Sequence, residues 1–238
     1  DVILAGTIDL KGIDTKTKDI NKLRKYVEII DLRVKQVLVE ILKSGKTPIV
    51  IGGGHNNCFP IIDSFPSPLD VVNIDPHADL RQEEGRHSGN GFTFAKKTNK
   101  LNKYYVVGLH TEYNSQLIID KFITNKEFEY HAFNDGLDDQ TTAKTIVDKI
   151  KLHINSKNIG VELDLDSIKN MPSSAKTPIG YTEEEVRKLL IQLKINYEFC
   201  YLHICEGAPT NKEEVITVGK TIAYIINDYI NYNATYLN

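Results

Sequence analysis

The stretch LDVVNIDPHADLR (residues 69–81) joins an apolar, β-branched run to three side chains that can bind a metal. Its first half, Leu69–Ile74, has the composition of a buried β-strand. Asp75, His77 and Asp79 follow at alternate positions, so their side chains project to one side if the segment is extended. The stretch therefore predicts a buried strand with a metal site at its carboxyl end.

Other apolar runs lie on both sides of this stretch. The run Thr47–Ile51 ends in GGG (residues 52–54), a pattern typical of a strand that leaves a sheet into a tight loop. Nearly continuous apolar strands separated by helices indicate a parallel sheet covered on both faces, with ligand sites at the carboxyl ends of the strands. The remaining predicted strands are Tyr104–Gly108, Phe128–Phe133, Ile159–Leu165 and Cys200–Ile204.

Amphipathic segments between these runs predict helices. Apolar residues recur at spacings of three and four from Ile20 to Ile41, and Gly45 ends this helix. Thr182 and Glu185 form a capping box at the start of another helix. We predict one α/β domain over residues 1–238, with three αβα layers and a mostly parallel sheet. The further predicted helices are Ser115–Phe122, Thr141–Ile154, Thr182–Ile195 and Lys212–Tyr229.

Charge and composition exclude several classes of partner. The chain has 29 Lys and Arg against 32 Asp and Glu, so it carries no basic field for nucleic acid or a membrane surface. It contains no apolar run of membrane-spanning length and no signal-peptide pattern, which predicts a soluble, cytoplasmic protein. Three cysteines are too few for a disulfide framework, and Cys200 and Cys205 should face opposite sides of a strand as reduced thiols.

Side chains that bind metals follow two other predicted strands. His55 comes directly after the glycine run, and Asp164 and Asp166 share one face at the end of Ile159–Leu165. With the first stretch they make four carboxylates and two imidazoles. Four carboxylates at the rim of an apolar sheet need cations. This set, rich in oxygen and without thiolate, favours a hard ion such as Mn²⁺ over structural Zn²⁺, and it has room for two bridged ions.

Simpler interpretations apply to each motif alone. Asp-x-His-x-Asp can be a solvated loop, and Asp-x-Asp can cap a helix. The coincidence of both motifs with His55 at predicted strand ends favours the metal site over these alternatives. Residues 52–54 match neither Gly-x-Gly-x-x-Gly nor a Lys-bearing P-loop, which argues against a phosphate-binding loop.

Together these motifs resemble those of the ureohydrolases, the family of arginase, agmatinase and formimidoylglutamase. The matching pieces are GGGH (52–55), DPHAD (75–79), SGNGF (88–92), DLD (164–166) and Glu206, and they span about residues 50–209. The resemblance implies an arginase-like fold, a small-molecule substrate and a site for two Mn²⁺ ions. The six ligands that it implies are His55, Asp75, His77, Asp79, Asp164 and Asp166.

Within this family the chain looks most like formimidoylglutamase. Arginases and agmatinases carry a His in the turn where this chain has Ser88, and His87 lies one residue earlier. The resemblance implies hydrolysis of N-formimidoyl-L-glutamate to glutamate and formamide, a reaction of histidine catabolism. The alternative enzyme is an arginase or another guanidino hydrolase. A non-catalytic relative would be marked by lost metal ligands, and all six positions are filled. The stretch DLDSIKN (164–170) lacks the Asp-Pro that usually follows the aspartate pair.

The resemblance also implies roles for residues around the metals. In the mechanism that it implies, the two ions would supply an activated hydroxide for attack on the planar carbon, Asp79 would orient it, and Glu206 would pair with the cationic nitrogen of the substrate. His87 is a candidate proton shuttle or a plain turn residue. Arg81 is a candidate for the substrate carboxylate or for a structural salt bridge. Substrate contacts are also predicted for Ser88 and Asn90.

Family members usually carry a further strand and a long loop before the matched portion. The chain begins with Asp1 rather than Met and is expected to lack that amino-terminal section. A homo-oligomer is compatible with the resemblance.

Overall fold

The computed structural model describes residues 2–14, 16–137 and 141–232. The strands within these residues are β1 (Ile49–Ile51), β2 (Leu69–Ile74), β3 (Leu101–Leu109), β4 (Phe128–Ala132), β5 (Asn158–Asp164) and β6 (Glu198–Cys205). The α-helices are α1 (Ile20–Lys43), α2 (Cys58–Asp63), α3 (Gly91–Lys97), α4 (Gln116–Thr124), α5 (Ala143–His153), α6 (Glu183–Asn196) and α7 (Lys212–Asn231).

The described strands form one sheet in the order β1-β6-β5-β2-β3-β4, and every neighbouring pair is parallel. Apolar side chains of α5, α6 and α7 pack on one face of the sheet. Those of α1, α2, α3 and α4 pack on the other. Since each face buries a separate core, the predicted three-layer αβα architecture is confirmed.

Most predicted elements occur close to their expected bounds. Gly45 follows α1 with a φ of 70°, and Thr182 caps α6 by accepting a hydrogen bond from the Glu185 amide at 3.1 Å. Strand β3 begins three residues earlier than predicted. The sequence analysis missed α2 and α3, because six or seven residues span fewer than two helical turns and carry little periodicity.

The neighbouring strands β5 and β6 have a register that places Glu162 and Tyr201 close to the polar side chains they contact. Glu162 lies opposite His203, and Gly160 lies opposite Tyr201. A Cβ atom on Gly160 would stand 2.3 Å from Tyr201 Cε1, so glycine is needed for the tyrosine ring to lie across β5. The register thereby brings three buried polar side chains together in the middle of the sheet.

The structure also bears on the state of the cysteines and on membrane-spanning helices. Cys58, Cys200 and Cys205 are free thiols, as predicted, with Cys205 buried and Cys200 half-buried. Among the described residues, no helix is both long enough and apolar enough to cross a lipid bilayer.

Candidate metal centre

His55 lies at the centre of a buried group of carboxylates. Its Nδ1 is 3.0 Å from Asp75 Oδ2, 2.9 Å from Asp79 Oδ2 and 3.2 Å from Asp164 Oδ2. None of these four residues is more than 9% exposed. They follow or end the strands β1, β2 and β5, whose carboxyl ends lie at one edge of the parallel sheet. The structure thus brings four of the six predicted ligands into direct contact.

The DPHAD segment reaches this group through a turn, which corrects the expectation of a simple extended segment. Strand β2 ends at Ile74, and Pro76 has no amide hydrogen to continue the ladder. The Asp75 side chain accepts a hydrogen bond from the His77 amide at 2.7 Å, and Asp79 has a φ of 50°. The turn, rather than strand alternation, therefore returns Asp79 to His55.

His77 lies at the edge of the group. Its Nδ1 is 3.3 Å from Asp75 Oδ1, its side chain is 30% exposed, and its ring stacks on Tyr113. Asn114 holds the DPHAD segment in place. Its side chain accepts a hydrogen bond from the Ala78 amide and donates one to the Pro76 carbonyl, both at 3.0 Å. Asn114 was not singled out from the sequence, and its position after β3 was the available signal.

Asp166 lies beside Asp164 and is held by the loop at residues 173–175. Its amide donates to Asp164 Oδ1 at 2.7 Å, and its Oδ1 accepts from the Ala175 amide at 2.9 Å. Burial raises the pKa of its carboxyl group. Its role as a ligand stays a prediction, as do the ligand roles of the other five residues.

The electrostatics of the group fit a divalent cation. Burial, with the neighbouring Asp75 charge, raises the pKa of Asp79 to about 6 and also raises that of Asp164. Both ring nitrogens of His55 are buried without a hydrogen-bond partner of good geometry, and Nδ1 is the one that faces the three aspartates. A cation amid these atoms would satisfy the nitrogen and offset the repulsion among the carboxylates. The oxygen-rich donor set suits Mn²⁺.

A second polar group, which the sequence analysis missed, lies on the other side of His55. Glu162 is fully buried, and its carboxylate contacts Tyr201 Oη at 2.7 Å and His203 Nδ1 at 2.5 Å. Burial alone would raise the pKa of Glu162, but the contacts with His203 and His55 lower it to about 2. A charged residue two positions before Asp164 in an apolar strand was the available signal, because such a residue needs partners.

Glu206 is close to this centre, as expected for a residue at the end of β6. It has a φ of 63°, and its Oε1 accepts a hydrogen bond from the His55 amide at 2.5 Å. The side chain therefore borders the loop that carries His55. Its predicted contact with the substrate nitrogen is compatible with this place and stays a prediction.

The remaining predicted substrate residues lie in the 81–90 segment. Arg81 is exposed and forms a 2.5 Å salt bridge with Glu84, whose Oε1 is also 3.1 Å from His87 Nε2. Ser88 is exposed. Asn90 is buried, and its amide is bonded within the segment to Arg86 and to two backbone carbonyls. The structure thus places Asn90 as a support of the turn, while Arg81, His87 and Ser88 lie at or near the surface.

The fold and the site define an α/β protein with a candidate divalent-metal centre at the carboxyl ends of parallel strands. The chain belongs to the arginase family, whose sequence model matches residues 4–229. This finding confirms the predicted ureohydrolase family.

Similar proteins include two bacterial formimidoylglutamases. The Geobacillus thermodenitrificans protein is 24% identical over 211 residues, which are 83% of this chain and 64% of that protein. The Staphylococcus aureus (strain JH9) protein is 23% identical over 237 residues, which are 95% of this chain and 75% of that protein. The chain therefore spans between about two thirds and three quarters of the length of these relatives.

Solved structures show the same fold. A crystal structure of Trypanosoma cruzi formiminoglutamase with Mn²⁺ has a TM-score of 0.72 and 17% identity, covering 93% of this chain and 75% of that one. The Bacillus subtilis formimidoylglutamase structure has a TM-score of 0.69 and 16% identity, covering 90% of this chain and 68% of that one. These likenesses confirm the predicted arginase-like fold and agree with the predicted closeness to formimidoylglutamase.

Proposed function

We propose that the chain is a manganese-dependent hydrolase that converts N-formimidoyl-L-glutamate to glutamate and formamide. The observation that carries the proposal is the buried cluster of His55 with three aspartates, in which the histidine nitrogen faces the carboxylates. The names of the relatives support the substrate, and the Mn²⁺ in the Trypanosoma cruzi structure supports the metal. Because the chain spans only part of its relatives, substrate and metal are both part of the proposal.

Two divalent ions would be held by the six implied ligands. When bound, such ions would activate water as a nucleophile and stabilise the charge that develops in the tetrahedral intermediate. Four aspartates and two divalent ions sum to no net charge, so the centre alone does not attract a cationic formimidoyl group. Glu206, beside His55, supplies the negative charge that would orient this group.

Arg81, two positions after Asp79, would bind a carboxylate of the substrate. Its guanidinium is exposed and already holds the Glu84 carboxylate, which supports this role. A glutamate-derived substrate would compete with Glu84 for this guanidinium. This exchange favours a substrate with a carboxylate-bearing tail over agmatine, which has none.

The proposal is tested by loading the purified chain with Mn²⁺ and comparing N-formimidoyl-L-glutamate, arginine and agmatine as substrates. Asp75→Ala and Asp166→Ala should each lower the bound manganese and remove most of the activity, because each deletes a charge that the ions need. Asp63→Ala is the control, since Asp63 pairs with Lys35 and not with the centre. Faster turnover of arginine, or full metal occupancy in both variants, would contradict the proposal.

We further propose that His87 delivers a proton to the leaving nitrogen. Burial and the Arg81 charge lower the pKa of His87, and Glu84 Oε1 lies 3.1 Å from its Nε2. His87→Asn should lower kcat about 10²- to 10⁴-fold with unchanged manganese content. His153→Asn is the control, because His153 contacts the Glu127 carbonyl instead. An unchanged kcat and pH profile would assign proton delivery to another group.

The single-domain organisation over residues 1–238, the cytoplasmic location and the homo-oligomer stay predictions.

A further inference from the structure

The buried polar group beneath His55 has a defined set of contacts. Glu162 Oε1 accepts a hydrogen bond from Tyr201 Oη at 2.7 Å, and Glu162 Oε2 lies 2.5 Å from His203 Nδ1. The same Oε2 lies 3.4 Å from His55 Nε2, which is a charge contact rather than a hydrogen bond of good geometry. All four side chains are fully buried, so Glu162 has these partners in place of water.

This group is a hydrogen-bonded network rather than a second metal site. Donor atoms of His55, Glu162, His203 and Cys205 lie within 4.8 Å of one another, as metal ligands would. However, two ligands of one tetrahedral Zn²⁺ stand about 3.3 Å apart, given metal–ligand bonds of about 2.0–2.1 Å. The 2.5 Å contact between Glu162 and His203 is the distance of a hydrogen bond, so a proton and not a metal ion joins these two groups.

We propose that Glu162, held in place by Tyr201 and His203, is a positioning residue that orients the His55 ring for metal binding. A carboxylate at Nε2 favours the tautomer with its proton on that nitrogen, which leaves the lone pair of Nδ1 free. That Nδ1 is the atom that faces Asp75, Asp79 and Asp164. The network therefore sets how tightly the centre holds the ion that His55 contacts.

His77, the second imidazole among the predicted ligands, can be compared with His55. His77 has a side chain that is 30% exposed, its ring stacks on Tyr113, and the carboxylate 3.3 Å from its Nδ1 is that of Asp75, itself a predicted ligand. The His55 ring, in contrast, is also packed against the edge of Phe92, with ring centroids 5.3 Å apart. A change at Glu162 should therefore weaken the binding of the ion that His55 would hold and leave the affinity for the ion that His77 would hold nearly unchanged.

The experiment is a titration of the metal-free chain with Mn²⁺, which needs no substrate. Glu162→Gln should weaken the binding of one of the two manganese ions about 10- to 100-fold. This is the usual effect of removing the residue that hydrogen-bonds the outer nitrogen of a histidine ligand. Tyr201→Phe should weaken the same ion by a smaller factor. Tyr197→Phe is the matched control, because Tyr197 is also buried and donates its hydroxyl hydrogen bond to the Ile154 carbonyl at 3.2 Å.

Each outcome decides the inference. Wild-type affinity for both ions in folded Glu162→Gln would overturn it, and so would equal weakening by Tyr197→Phe and Tyr201→Phe. If Glu162→Gln does not fold, the isosteric pair of tyrosine variants decides alone. The inference rests on the proposed metal centre. If wild type binds no Mn²⁺, both proposals fail, whereas two bound ions without formimidoyl hydrolysis would overturn only the proposed function.

Discussion

At the scale of single residues, Arg86 connects several segments around the site. Its guanidinium donates to both Asp31 oxygens, at 2.8 and 3.4 Å, and to the Asn56 carbonyl at 2.8 Å. The rings of Phe59 and Phe94 each lie 4.9 Å from it. Since Asn56 follows His55, this buried ion pair ties α1 to the loop that carries a candidate metal ligand.

Arg86→Met should lower the free energy of unfolding by about 3–5 kcal/mol, because it leaves the buried Asp31 carboxylate without its charged partner. Arg187→Met is the matched control. Arg187 makes the same two-pronged contact with Asp228, but its side chain is 38% exposed, so its loss should cost only about 0.2–1 kcal/mol. Urea unfolding of both variants checks this prediction. Equal losses would show that burial does not decide the strength of the Arg86 pair.

At the scale of elements, α6 begins with a reciprocal cap. Thr182 accepts from the Glu185 amide at 3.1 Å, and the Glu185 side chain accepts from the Thr182 amide at 2.7 Å. The next residues pack Val186, Leu189 and Leu190 against the sheet. The cap therefore sets where a core-forming helix begins.

Thr182→Ala should lower the free energy of unfolding by about 1 kcal/mol, because the Glu185 amide loses the Thr182 hydroxyl that accepts its hydrogen bond. Thr217→Ala is the control, since Thr217 is exposed within α7, where alanine is the better helix former. That control should be neutral or slightly stabilising in the same denaturation experiment. A loss in Thr217→Ala as large as in Thr182→Ala would contradict the capping argument.

At the scale of the whole molecule, the candidate metal centre makes stability depend on pH. Burial and the Asp75 charge raise the pKa of Asp79 to about 6, so the folded chain holds a proton that the unfolded chain releases between about pH 4 and 6. Burial disfavours the charged form of His77, but its contacts with Asp75 raise its pKa to about 9. Both groups therefore destabilise the metal-free fold as pH rises.

The Tm of metal-free protein should accordingly fall between pH 5 and 9, and Mn²⁺ should raise the Tm more at pH 8 than at pH 5.5. The reason is that metal replaces the protons that the ligands release. Thermal unfolding with and without Mn²⁺ measures both effects. In Asp79→Asn, the pH dependence of the Tm and the rise in Tm that Mn²⁺ produces should both be smaller than in the wild type. An equal gain in Tm at both pH values would count against a carboxylate metal centre.

The layered α/β architecture and the strand ends at which candidate ligands lie could both be predicted from the amino-acid sequence. Apolar runs and helical spacing report which side of each element is buried, and glycine runs or capping pairs report where it ends. The residues of GGGH, DPHAD and DLD were therefore predicted to lie near one another, and His55, Asp75, Asp79 and Asp164 are in contact. The same motifs were sufficient to predict the family.

The partners that are distant in sequence could not be predicted, because they depend on how the whole chain folds. Asp31 and Arg86 are 55 positions apart, and Glu162 and His203 are 41 apart, so local periodicity carries no signal of either contact. The β5–β6 register places Glu162 opposite His203, and a turn returns Asp79 to His55. The physical reason is that local sequence specifies which face of an element is buried, whereas the packing of all elements together determines what that face meets.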